Sequence, residues 1–166
     1  VLGSILPTIA MALMLQSKSL SILDARAAQW LWLFAVALHL CLLLAFVAFR
    51  ARQFSLHHML PSWFVPFVGI SVAAMTVPGP AYYQLAYGLM VFGMVNYAAL
   101  LPVMLYRLIF SREIEDASKP TIAVLAAPAS LSLVAYLSLE PTPSLLLCSL
   151  LLGVAVLMTS IIYVAF

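Results

Sequence analysis

Residues 61–106 read PSWFVPFVGISVAAMTVPGPAYYQLAYGLMVFGMVNYAALLPVMLY, without one charged side chain. They belong to a charge-free run from Gln53 to Tyr106. A membrane-crossing helix needs about 20 apolar residues, within a range of about 17–25. The run is therefore too long for one crossing. Pro78-Gly79-Pro80 cuts it, because proline and glycine side by side can continue neither a helix nor a strand. Two spans result, 61–77 and 81–106, joined by a tight turn.

The same spacing continues outward. Val1 to Ser17 is charge-free and ends before Lys18, and Ala27 to Phe49 is charge-free between Arg26 and Arg50. On the far side lie 120–139 and 144–166, separated by Glu140-Pro141-Thr142-Pro143. Six spans in one transmembrane domain, residues 1–166, are expected. The chain opens and closes inside apolar runs with no basic leader, so it reads as a fragment with further spans on both sides. Helices are preferred over barrel strands, because the runs lack alternation and are about twice a barrel strand's length. A helix also satisfies its own backbone groups in the bilayer.

Composition excludes a soluble domain. Hydrophobic residues make up 66% of the chain and charged residues 7%, against about a quarter charged in soluble domains. So few charges could not cover a water-facing exterior. The net charge of +2 gives no case for a nucleic-acid partner. Cys41 and Cys148 sit in apolar runs without a CxxC neighbour and read as small buried hydrophobes.

The basic residues set an orientation. The loops at 50–62 and 107–119 hold Arg50, Arg52, Arg107, Arg112 and Lys119, whereas the opposite loops hold only Lys18 and Arg26. Five against two places the former in the cytoplasm, with both chain ends on that side and the protein in the inner (plasma) membrane. Trp30, Trp32, Trp63, Tyr82, Tyr83 and Tyr106 stand near span ends, where amphipathic rings favour the headgroup level.

Odd and even spans differ. Pro7, Pro66 and Pro128 fall inside the first, third and fifth spans; the second and sixth have no interior proline, and the fourth has only Pro102 near its end. A repeated hairpin of one bent and one straighter helix is implied. In a helix interior these prolines would free the carbonyls of Gly3, Ser62 and Val124. Freed carbonyls suit cations, so the prolines are read as geometry. The odd spans also carry small or polar stripes at helical spacing: Ser62, Pro66, Gly69, Ala73 and Thr76 on the third, and Thr121, Leu125, Pro128, Ser132 and Ala135 on the fifth. Close helix packing explains such stripes, and so does a pore wall. With Ser4, Pro7 and Thr8 of the first span, they are the pore-lining candidates. Leu42, Leu43 and Phe46 of the second span are expected to face lipid or outer helices.

No charge lies within a span, which argues against a proton pump or an intramembrane metalloprotease. His39, midway through the second span, reads as a hydrogen-bonded packing residue. His57 and His58 read as interfacial, and Asn96 as interhelical glue. No phosphate loop, zinc spacing or nucleophile elbow occurs. Neither a cofactor nor an enzymatic activity is expected. A membrane-embedded haem protein is the rival reading, needing paired intramembrane histidines; a purely structural membrane subunit is another.

Several strings carry a family likeness. Pro61-Ser62-Trp63-Phe64-Val65-Pro66-Phe67-Val68-Gly69 resembles the start of the fifth helix in the tellurite-resistance/C4-dicarboxylate transporter family, within the slow-type anion channel superfamily. Leu101-Pro102-Val103-Met104-Leu105-Tyr106-Arg107-Leu108 is similar to the end of its sixth helix. Lys119-Pro120-Thr121, followed by Leu125-Ala126-Ala127-Pro128-Ala129, is similar to its seventh, and Ser4 to Thr8 is compatible with its third. The resemblance implies helices three to eight of ten, arranged as hairpins with bent inner helices around a central pore. It implies a trimer that moves small anions, with dicarboxylate, tellurite and sulfite among the possible substrates. The family's gating phenylalanine lies on a ninth helix and maps to no residue here. Where its sixth helix often carries Glu before the proline, this chain has Leu101.

Overall fold

A computed structural model describes residues 2–52, 61–110 and 123–165. Thr121, His57 and His58 lie outside the described residues. The first span is two helices, α1 (Leu2–Ile5) and α2 (Pro7–Leu20), followed by α3 (Ala25–Ala51). The third span is α4 (Phe64–Val68) and α5 (Val72–Met75), with 3-10 turns at Pro61–Trp63 and Gly69–Ser71. Then come α6 (Tyr83–Phe110), α7 (Ala127–Leu139) and α8 (Leu145–Ala165). No strand occurs among the described residues.

The even spans α3, α6 and α8 are long helices, apolar enough to cross a membrane. Asp24 starts α3 by accepting from the backbone N–H groups of Arg26 and Ala27 at 2.8 and 3.2 Å. That satisfies donors a helix start otherwise leaves open. Pro102 does not end α6, which runs on to Phe110.

The odd spans are broken, and the breaks fall at the prolines. Pro7 opens α2, Pro128 lies in the first turn of α7, and residues 123–126 before it form a 3-10 turn. Pro66 is the third residue of α4. Helical or 3-10 turns precede each proline, and Leu6, Trp63 and Ala126 keep right-handed helical dihedrals, so each proline stands where one helical segment passes into the next and bends the span there. The first span also outruns its expected end at Ser17. It reaches Leu20 because the Lys18 side chain finds a partner, its Nζ donating to the carbonyl of Met75 at 3.0 Å.

The odd spans run parallel. At one end Ser4 Oγ donates to Ser62 Oγ at 2.7 Å, and at the other Lys18 reaches Met75. They form an inner row in which the third span touches α2 on one side and α7 on the other; α3, α6 and α8 back that row. The Tyr83 hydroxyl donates to the carbonyl of Leu139 at 3.0 Å, tying the start of α6 to the end of α7. One core joins Met14, Trp32, Ile70, Met90 and Ala135; a second joins Phe46, Trp63, Phe64, Tyr97, Met104 and Leu151. The third span is buried along nearly its whole length, so its irregular backbone is shielded from lipid, the condition under which such backbone is tolerated at membrane depth.

Several expectations about side-chain direction are corrected. Leu43 and Phe46 are only 5% and 6% exposed, and Phe46 packs edge-on against Trp63 and Phe67 of the third span. The exposed side of α3 instead carries Trp30, Phe34, Leu44 and Cys41. Cys41 stands two residues beyond buried His39, about 200° round the helix, so it is not a buried hydrophobe; Cys148 is half-buried. Trp32 does not float at the headgroups: it is fully buried, its Nε1 donating to Thr76 Oγ1 at 3.1 Å. Trp63 is buried too, beneath the guanidinium of Arg50. Asn96 is no interhelical glue, because its Nδ2 donates to the carbonyl of Phe92 in its own helix at 2.8 Å.

Candidate functional site

The three proline-broken spans meet around a hollow of about 70 Å³ on the open side of the inner row. Met11 of α2, Val65, Val68 and Gly69 of the third span, and Ala127 and Leu131 of α7 face it, and Pro128 is part of its wall. Its described lining holds no charged side chain. Met11 stands four residues after Pro7 and Leu131 three after Pro128, so each shares a helix face with the proline that starts its segment.

The sequence candidates divide three ways. Gly69 and Pro128 lie on the hollow. Thr8 is exposed on α2, three residues before Met11, and its Oγ1 donates to the carbonyl of Ile5 at 2.7 Å. The rest sit between helices. Ser4 and Ser62 bond each other, and Pro7 is buried at its break. Pro66 is buried, its carbonyl 3.0 Å from Nε2 of His39. Ala73 is fully buried, and Thr76 donates to the carbonyl of Val72 at 2.9 Å while accepting from Trp32. Ser132 is buried with no hydrogen-bond partner for its hydroxyl among the described residues.

His39 joins the outer helix to the inner row. A carbonyl can only accept, so Nε2 carries the proton and donates to Pro66. Nδ1 is buried and meets no hydrogen-bond partner among the described residues. The packing role expected of His39 is what the geometry gives it. Gly69 lets Met11 lie close to the third span: a Cβ there would stand 2.6 Å from Sδ of Met11, while Cε1 of His39, at 3.4 Å, would be in ordinary contact.

Sequence reasoning missed Met11, Val65, Val68, Val124, Ala127 and Leu131. They are ordinary apolar residues, and a search for small or polar stripes passes over them. The available signal was their spacing from the prolines.

Among the described residues no group of side chains could hold a metal ion. The inner row leaves an uncharged, narrow concavity, and the thirteen-residue α7 begins beside it. A helix start carries partial positive charge, which favours anions. No curated protein matches the chain. The family whose description is voltage-dependent anion channel matches it over residues 1–166. An inner row of broken spans, backed by long apolar helices, is thus the frame of a multi-pass anion-transporting membrane protein, and the chain belongs to the voltage-dependent anion channel family.

Proposed function

We propose that anions pass along the open side of the inner row, over Thr8, Met11, Gly69, Ala127, Pro128 and Leu131, and that the protein works as a channel for small anions. The supporting observation is the apolar hollow where α2, the third span and α7 meet. A dicarboxylate held tightly would call for bidentate arginine, and no arginine or lysine lines the hollow among the described residues. Conduction needs weak binding, so that an ion that enters also leaves, and an apolar constriction can gate by dewetting. Small inorganic anions, sulfite- and tellurite-type ions included, fit this lining better than dicarboxylates. The remaining small residues, Ser4, Pro7, Ser62, Pro66, Ala73, Thr76 and Ser132, then serve the path by letting the inner spans pack closely enough to shape it. Thr121 precedes α7 in the chain and is proposed to extend the wall. By resemblance the assembly is a homotrimer with a path in each subunit.

The test is anion flux into liposomes. Ala127→Trp and Leu131→Trp are expected to lose flux while keeping normal expression and oligomer size, and Leu44→Trp, on the lipid-facing side of α3, to keep it. Normal flux through both hollow variants would refute the proposed path.

The basic asymmetry orients the path with the starts of α2 and α7 toward the cytoplasm, in a plasma-type inner membrane. A cysteine at Thr142, in a background without Cys41 and Cys148, is expected to react with an impermeant reagent from outside only. One at Ser55 is expected to react from the cytoplasm only. Labelling of both from one side would reverse or break this topology.

A further inference from the structure

A second concavity, of about 550 Å³, lies away from the proposed path, between the start of the first span and the end of α3. Gly3 and Leu6 form one wall; Leu42, Ala45, Phe46 and Phe49 form the other, and Arg50 stands at one end. The α3 residues recur every three or four positions, so they form one stripe. From Leu42 to Arg50 the helix rises about 12 Å at 1.5 Å per residue. That approaches half of a hydrocarbon core of about 30 Å, the depth of a single leaflet. The groove therefore runs from near the bilayer midplane to the headgroup level, apolar along its length and cationic at its mouth.

Arg50 is held in place there. Its guanidinium lies 5.9 Å from the ring centre of Phe46 and 5.7 Å from that of Trp63. Stacking on aromatic faces orients an arginine without neutralising it. The described carboxylates, Asp24 and Glu140, belong to loops at the opposite end of the helices, and Arg50 makes no ion pair among the described residues. An oriented cation above an apolar trough one leaflet deep matches a phosphate with an acyl chain beneath it.

We propose that this groove binds a membrane phospholipid, one acyl chain lying along Leu42, Ala45, Phe46 and Phe49 and the phosphate resting on Arg50. The bilayer supplies the occupant. Gly3 opens the trough, since a Cβ at that position would meet nothing within 4 Å. A side chain added there starts into open space.

Native mass spectrometry of the whole protein, purified in mild detergent with phospholipid added, tests the site. Wild type is expected to retain a bound phospholipid. Arg50→Gln is expected to lower its occupancy roughly tenfold or more, the loss expected of a hydrogen bond to a charged group. Gly3→Phe is expected to expel the lipid by filling its place, even if Arg50→Gln disturbs the packing on Trp63. Leu44→Phe, on the exposed side of the same helix, is expected to retain it. Equal retention in wild type, Arg50→Gln and Gly3→Phe would overturn the proposal, and so would a wild type that holds no lipid because another helix or a second copy covers the groove. Displacement of the lipid by millimolar inorganic phosphate would also overturn it, because that outcome describes a bare anion site.

Discussion

Gly93→Leu is expected to leave little correctly assembled protein in the membrane. Gly93 is buried on α6, where that helix passes the 3-10 turn of the third span. A Cβ at Gly93 would collide with the hydroxyl of Ser71 and sit 3.4 Å from the carbonyl of Val68. The hydroxyl can swing aside, but the carbonyl belongs to the backbone and cannot. Gly93→Ala is therefore expected to cost about 1–3 kcal/mol, the usual range for overpacking. Leucine adds three further carbons in the same direction and forces α6 off the inner row. Size-exclusion chromatography of fluorescent fusions in detergent checks the series: a sharp peak for wild type, a weaker one for Gly93→Ala and aggregate for Gly93→Leu. A normal peak for Gly93→Leu would show that α6 and the third span are not in this contact.

His39→Leu is expected to lower thermal stability and to weaken anion flux together. Leucine fills much of the imidazole volume, so the main loss is the donor to Pro66. An acceptor deprived of its buried partner costs about 1–3 kcal/mol. The damage falls where the inner row changes helix type, between α4 and the turn at Gly69–Ser71, and Gly69 is on the hollow itself. His39→Gln keeps an N–H donor on a side chain of similar reach and is expected to recover part of both properties. Melting in detergent and liposome flux, measured on the same preparations, check this. Full activity and unchanged melting for His39→Leu would remove His39 from any role in shaping the inner row.

The hairpin order, the odd and even classes and the anion-transport family were legible because they rest on strong local signals. A charge inside a membrane span is costly, so Lys18, Arg26, Arg50 and Arg107 bracket the spans. A proline in a helix interior removes a backbone donor, so Pro7, Pro66 and Pro128 mark the inner row, whereas Pro102 is carried within α6. Which face of a helix meets which neighbour was less legible. Ala73, Thr76 and Ser132 read equally well as packing or as pore wall, because both need small side chains. Only coordinates place Thr76 against Trp32 and Gly69 against Met11. The α3 helix is apolar all round, so no moment in its sequence separates Leu43 and Phe46 from Leu44. Trp32 misled for a related reason: its position near a span end suggests the headgroup level, but its Nε1 finds a buried hydroxyl instead.

The most direct measurement is block of anion flux by thiol modification at single positions, in the whole protein without Cys41 and Cys148. Cysteines at Met11, Ala127 and Leu131 face the proposed path, and cysteines at Phe34, Leu44 and Leu150 are exposed on the outer helices. A charged methanethiosulfonate reagent is predicted to stop flux at the first three and to leave it unchanged at the last three. Modification of Met11→Cys, Ala127→Cys and Leu131→Cys, verified by mass, with flux undiminished would contradict an anion path along the inner row.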